Sequence, residues 1–324
     1  MTSQLEPTAT PPGPRTRGRR LLPRLMALGL ALVVVASTAI WTDAFGMGDR
    51  WESVVKRVDR FLAGPVPVRS SLPTIVVDDP TAAPSAPPSL EPTSSPSPSE
   101  VPTAVPTAPP TAVPTPVRSA VDLAMTHDPE ASFAHQLTKD WCSPAAIQIA
   151  LALHGRGDTS SGLQRQIAGR VREFESWADS HNGGWGPAAM SEALAAYGVP
   201  GYEIRAYRTR DQALRGAAVA IFETDAPVIL LAWRGAHTWV MSGFRADADP
   251  RTFPDAVVSG TYILDPWYPS VSSIWGPSDA PGVFQDNAEM IRNYLPWKRP
   301  EGAYPDRDGR FIALIPTVKL SRGE

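Results

Sequence analysis

The stretch HQLTKDWCSPAAIQIALALHG, residues 135–155, holds the only cysteine of this 324-residue chain. Directly after Cys142, Ser143 and Pro144 open an apolar run that ends at Gly155. Because proline suits the first turn of a helix and glycine its end, this run predicts a helix whose N-terminus lies beside the thiol. A helix N-terminus lowers the pKa of a nearby thiol, which favours a reactive cysteine. This stretch alone is also compatible with a buried structural cysteine or with one that joins two chains.

The N-terminal residues predict the compartment of that thiol. Residues 1–24 carry five arginines against one glutamate, and residues 25–41 carry no charge. As a helix, residues 25–41 would be roughly 26 Å long, near the lower limit for crossing a bilayer. We therefore expect a basic cytoplasmic tail over 1–24 and a single membrane anchor over 25–41, with the rest of the chain extracytoplasmic. Small residues at positions 36–39 keep a cleaved signal peptide as the alternative.

Three further segments follow the expected anchor. Residues 42–79 form a juxtamembrane segment, in which apolar residues at helical spacing over 49–62 indicate an amphipathic helix. Residues 80–118 are rich in Pro, Ser and Thr, a composition typical of a semi-rigid spacer without a core. Residues 119–324 are numerous enough for one globular domain. The net charge of −3 gives no indication of nucleic-acid binding, and the sequence does not predict an oligomeric state.

The globular domain has a mixed pattern of elements. After the helix that follows Cys142, helices are predicted over 186–198 and 209–223. Apolar and alternating runs then predict strands, over 227–234, 236–244, 260–265 and 310–316. Helices first and strands afterwards predict an α+β fold, with an antiparallel sheet packed on the helices.

The predicted strands supply partners for a nucleophilic thiol. His237 opens one strand and can act as the general base. Asp265 closes the next strand, directly before a proline, and can orient the imidazole, with Asn287 as a substitute. Gln136 can donate its side-chain amide to an oxyanion, together with the Cys142 backbone N–H. For each residue an ordinary packing or turn role is the alternative.

This order of Gln136, Cys142, His237 and Asp265 resembles the papain-like cysteine peptidases, nearest the group related to the double-glycine leader peptidases of bacteriocin export. The resemblance covers roughly residues 130–316. The histidine follows the cysteine by 95 residues and the aspartate follows the histidine by 28. Leader peptidases usually carry Asp-Cys-Gly, where this chain reads Asp-Trp-Cys-Ser, and they are commonly fused to a transporter that is not present here. The resemblance thus implies the papain-like fold and the catalytic residues, without the leader-peptide substrate.

The combined expectation is a membrane-anchored, extracytoplasmic cysteine peptidase that cleaves peptide bonds without a cofactor. Two alternatives remain: an inactive papain-like module that binds peptides or cell-wall polymers, and a transglutaminase-like or amidase enzyme. No metal site is predicted, because five scattered histidines and one cysteine show no ligand spacing. Aromatic residues near the candidate site either line a substrate cleft or pack in the core; they are Trp185, Trp239, Trp267, Tyr268 and Trp275.

Overall fold

A computed structural model of the protein describes residues 26, 29–30, 32–38, 51, 54–55, 58, 61–62, 64–78, 115–180 and 185–321. The predicted tail 1–24 and most of the predicted spacer 80–118 lie outside these residues. All described residues within 25–41 are helical, and so are all described residues within 49–62. No helix within the described residues is both long enough and apolar enough to span a bilayer. Residues Val66–Glu324 form a compact unit of their own.

The helices of this unit are α1 (Pro129–Ser132), α2 (Cys142–Leu153), α3 (Ser161–Gly169), α4 (Val171–Phe174), α5 (Pro187–Ala196), α6 (Arg210–Thr224) and α7 (Asn287–Asn293). Three of them, α2, α5 and α6, begin and end close to the predicted positions, and the other four were not predicted. Helix α6 begins with a capping box, in which Thr209 and Gln212 bind each other's backbone N–H. Helix α2 is buried along most of its length, and it is apolar on all sides as such a position requires.

A mostly antiparallel sheet forms the centre of the unit. Its strands are β1 (Thr74–Val77), β2 (Val121–Ala124), β3 (Tyr202–Tyr207), β4 (Val228–Ala232), β5 (His237–Ala246), β6 (Val258–Leu264), β9 (Val283–Asp286) and β10 (Phe311–Pro316). The order is β1-β3-β10-β4-β5-β6-β9, with β2 on the second half of β5. Only the β1–β3 pair is parallel among these described strands. A separate hairpin pairs β7 (Val271–Ser272) with β8 (Gly276–Pro277). The α+β prediction is confirmed.

The sheet buries apolar side chains on both faces. Along β4, Ile229 and Leu231 belong to the cluster that contains the buried residues of α2 and α5, whereas Val228 and Leu230 belong to the cluster that contains those of α6. This alternation follows from the two-residue period of a strand. Helix α6 therefore covers the face opposite α2, and the sheet lies between two helical layers instead of resting on one.

Residues 66–78, which the sequence pattern places before the globular domain, pack on the folded unit. Strand β1 pairs with β3 over four residues. Upstream, the Arg69 N–H donates to Ser176 Oγ at 3.1 Å, and that hydroxyl donates back to the Arg69 carbonyl at 2.9 Å. The Trp177 N–H donates to the Pro67 carbonyl at 2.9 Å. We call residues 66–78 the docked segment.

Candidate active site

The thiol lies at the first residue of α2. Cys142 is half-buried, and its Sγ is 4.0 Å from the Ser143 hydroxyl. Since a helix has no carbonyl four residues before its start, the backbone N–H of Cys142 has no partner within α2. The predicted position of the thiol at a helix N-terminus is confirmed.

His237 is brought to the thiol by a tight turn between β4 and β5. Ala232 pairs with His237 across the two strands, and the chain between them has positive φ at Trp233, Arg234 and Gly235. A strand cannot continue through such backbone angles. The predicted strand 227–234 is therefore wrong at its end, where β4 stops at Ala232.

Asp265 follows β6 and holds the imidazole. His237 Nε2 and Asp265 Oδ1 are 2.6 Å apart, and both side chains are buried. The Trp267 N–H donates to the same carboxylate oxygen at 2.9 Å. Because Nε2 is engaged by Asp265, Nδ1 is the ring nitrogen left for the thiol. Asn287 is exposed at the start of α7 and is not the partner of His237.

The pKa of the thiol is lowered and the pKa of the imidazole is raised. Burial alone raises the pKa of Cys142, but the hydrogen bond and charge of His237, with smaller contributions from Thr238 and Ser143, bring the pKa below its ordinary value. Burial alone lowers the pKa of His237, but the charge and hydrogen bond of Asp265, and the neighbouring Cys142, raise it to about 9. These directions favour a thiolate–imidazolium pair at neutral pH.

Gln136 is fixed beside the same strand end. It is 3% exposed, and its backbone N–H donates to the carbonyl of Pro266, the residue after Asp265, at 2.9 Å. Its side-chain Nε2 donates to the Thr138 carbonyl at 2.8 Å, and its Oε1 is buried without a partner. One of the two amide hydrogens is thus used locally, and the other is not committed by this contact.

Aromatic rings surround the imidazole. The Trp233 ring stacks on His237 at a centroid distance of 4.1 Å, and Trp275 stacks on the far side of Trp233 at 5.9 Å. Trp267 meets His237 edge to face at 6.3 Å. Trp233 is a site residue that the sequence pattern assigned to a strand. Trp239, by contrast, is buried in the core on the α6 face.

A cofactor or metal would need side chains that converge on one point. Within the described ranges, no group of three or more His, Cys, Asp and Glu side chains is placed to hold a metal ion. The polar groups that converge in the described part of the chain are the thiol, the imidazole and the carboxylate of Cys142, His237 and Asp265.

The match to a family model covers the elements that carry these groups. The model of the Peptidase_C39-like family matches residues 129–293, just over half of the chain. The chain belongs to this family. The matched residues include α2, β5 and β6 and, with Gln136 before α2 and Asp265 after β6, all four predicted site residues. No curated protein matches the chain. The predicted resemblance to papain-like peptidases of this group is confirmed.

Membership in the Peptidase_C39-like family indicates a cysteine peptidase of the hydrolase class acting on peptides. The mixed fold, with a helix start packed against the beginning of an antiparallel strand, fits the papain-like arrangement of such enzymes.

Proposed function

We propose that the chain is a cysteine peptidase in which Cys142 is the nucleophile, His237 the general base and acid, and Asp265 the residue that orients the imidazole. The observation that carries this proposal is the position of His237. Its Nε2 lies 2.6 Å from Asp265 Oδ1, which leaves the other ring nitrogen for the thiol. The hydrogen bond and charge of His237 lower the pKa of Cys142, and Asp265, more than Cys142, raises the pKa of His237.

The first half of the reaction forms an acyl-enzyme. The Cys142 thiolate attacks the carbonyl carbon, so that an S–C bond forms and the carbonyl electrons move to the oxygen. The Gln136 amide and the Cys142 N–H are the proposed donors to this oxyanion. As the carbonyl re-forms, the C–N bond breaks and the leaving nitrogen takes the proton from the His237 imidazolium. An amine departs and a thioester remains.

The second half restores the enzyme. Neutral His237 takes a proton from water, whose oxygen attacks the thioester carbonyl. The S–C bond then breaks, the peptide leaves as a carboxylic acid, and the thiolate is again paired with the imidazolium. Asp265 holds the ring in the orientation that both proton transfers require.

We also infer that the enzyme is held at the cell membrane by residues 25–41, with the catalytic unit outside. The arginines before an uncharged apolar run support this inference. A cysteine-reactive, membrane-impermeant maleimide added to intact cells tests it, because Cys142 is the only cysteine. Labelling before lysis is expected; labelling only after lysis would place the unit inside.

Iodoacetamide and a peptide library test the catalytic proposal. The unmodified full chain should be alkylated faster than a free cysteine at neutral pH, and mass spectrometry should find new peptide termini. Cys142→Ser should abolish both while keeping the circular dichroism spectrum. Ordinary alkylation rates with no cleaved peptide would overturn the proposal and favour a binding module. Rapid alkylation with amide transfer instead of hydrolysis would favour a transglutaminase-like activity.

A further inference from the structure

Two buried glutamines connect the helix of Cys142 to the loop of Gln136. Gln148 lies on α2, six residues after Cys142, and Gln164 lies on α3. They are 0% and 1% exposed, and Gln164 Nε2 donates to Gln148 Oε1 at 3.0 Å. A buried amide pair is costly to desolvate unless every donor and acceptor is used, so the partners of these two amides explain their presence.

Gln164 holds the residues on both sides of Gln136. Its Oε1 accepts the Leu137 N–H at 2.7 Å, and its Nε2 donates to the His135 carbonyl at 2.9 Å. Gln136 itself is held by the Pro266 carbonyl through its own N–H at 2.9 Å. Three consecutive residues of this loop are therefore fixed through their backbone atoms.

Gln148 anchors this arrangement to the start of α3 as well. Its Nε2 donates to the Asp158 carbonyl at 2.9 Å and to the Ser160 carbonyl at 2.8 Å. Ser160 is in turn the N-cap of α3. Both amide hydrogens of each glutamine and both side-chain oxygens are thus engaged, and such a fully satisfied buried network fixes geometry.

We propose that Gln164, supported by Gln148, is a positioning residue that sets the place of the Gln136 amide relative to Cys142. This inference rests on the proposed function. The network touches neither the thiol nor the imidazole; it acts on the backbone that carries the oxyanion donor. Misplacing such a donor by about 1 Å can cost on the order of 10²-fold in rate.

Hydrolysis of p-nitrophenyl acetate by the full chain tests the proposal without knowledge of the natural substrate. Gln164→Met, which has a similar shape without hydrogen-bonding groups, should lower kcat by roughly 10- to 100-fold with little change in KM. The pH dependence of iodoacetamide alkylation should stay unchanged, because the thiolate–imidazolium pair is untouched. Gln285→Met, another buried glutamine whose amide binds Asp279, should retain kcat.

A double-mutant cycle separates positioning from general structural damage. If Gln164 acts through Gln136, Gln164→Met should add little to the loss already caused by Gln136→Ala. Multiplicative losses from the two changes, or full activity of folded Gln164→Met, would overturn the positioning role. If Gln164→Met does not fold, Gln148→Met replaces it, with a smaller loss that should also vanish in the Gln136→Ala background.

The outcomes also separate this inference from the proposed function. Release of p-nitrophenolate that Cys142→Ser does not remove would refute the nucleophile, and the positioning role with it. Release that depends on Cys142 but not on Gln136 would leave the nucleophile standing and refute both the oxyanion role of Gln136 and the role of Gln164.

Discussion

Two buried pairs of opposite charge lie in this fold and serve different ends. His237 and Asp265 are 2.6 Å apart with side-chain exposures of 2% and 6%, and Arg307 and Asp179 are 2.8 Å apart with exposures of 4% and 1%. Distance and burial therefore do not distinguish the pairs. Their remaining contacts do.

All three nitrogens of the Arg307 guanidinium donate hydrogen bonds within the fold. Its Nη1 donates to the Asp179 carbonyl at 3.1 Å and its Nε to Thr74 Oγ1 of the docked segment at 3.0 Å. The second oxygen of Asp179 accepts the Ala189 N–H of α5 at 3.0 Å. His237 instead keeps one ring nitrogen for the thiol. The Arg307 pair therefore holds the structure, whereas the His237 pair has a ring nitrogen free for the thiol chemistry of the proposed mechanism.

Removing the imidazole should have the largest effect. His237→Ala should lower peptide hydrolysis by roughly 10²- to 10⁴-fold, the range of general acid–base contributions. It should also slow alkylation of Cys142 at neutral pH, because the charge that stabilises the thiolate is lost. Rates are to be normalised to the folded fraction from circular dichroism. If His237→Ala were alkylated and cleaved peptides at the rates of the unmodified chain, the pair of His237 and Asp265 would have no more part in the chemistry than the pair of Arg307 and Asp179.

Breaking the second pair should affect stability instead. Arg307→Met leaves Asp179 buried without its partner and should lower the free energy of unfolding by about 3–5 kcal/mol, measured by urea denaturation. The specific activity of the folded fraction should be retained. Lys298→Met is the control, because its pair with Glu301 is exposed and 3.5 Å long, and exposed pairs contribute under about 1 kcal/mol. Equal losses for the two variants would show that Arg307 is not specially placed.

The pair of His237 and Asp265 should also make activity and stability depend on pH. Activity should rise on the acid side as Cys142 ionises below its ordinary pKa, and should fall as His237 loses its proton near pH 9. Because the folded state raises the pKa of His237 from 6.5, its contribution to stability is full below about pH 6.5 and is lost as the pH rises through about 9.

These pH profiles are measured by single-turnover hydrolysis and by urea unfolding between pH 5 and 10, a range chosen to span both limbs. In His237→Ala the alkaline loss of stability should be absent, since the titrating group is gone. An unchanged alkaline loss in that variant would assign it to another residue.

The smallest effect should come from the ring stacked on the imidazole. Trp233→Leu removes the stack at 4.1 Å and should lower kcat by roughly two- to tenfold, since aromatic pairs contribute about 0.5–1.5 kcal/mol beyond their buried area. Trp233→Phe keeps a ring in place and should lose less. Steady-state kinetics on one cleaved peptide compares the two; an equal loss would show that the ring itself does not matter.

The sequence predicts those parts of the site whose structure depends on neighbouring residues. Pro144 and Gly155 frame α2, and the alternating apolar residues after His237 define β5, so both ends of the Cys–His contact were expected. The carboxylate at the end of β6 was expected for the same reason. The contact between His237 and Asp265 could thus be predicted from the sequence.

Other features depend on residues far apart in the chain. The alternation of buried and half-buried residues along β3 is a local strand signal, but the pairing of β3 with β1 and β10 joins residues far apart in the chain. The turn after β4 requires glycine at position 235, because its φ is positive and a Cβ there would lie 2.3 Å from the Trp297 ring. The fixing of Gln136 requires Pro266 and Gln164. No local pattern predicts such pairings.

The docked segment changes how the length of the Pro-rich stretch should be understood. Residues 74–77 and 121–124 are strands of the same sheet, so the Pro-rich stretch connects two strands of one folded unit. The entropic cost of closing a flexible loop grows only with the logarithm of its length, by about 0.6 kcal/mol for each doubling. Repeats such as VPTAVPTA could therefore be gained or lost over generations at almost no cost in fold stability, which leaves the length of this connection free to vary while the sheet stays the same.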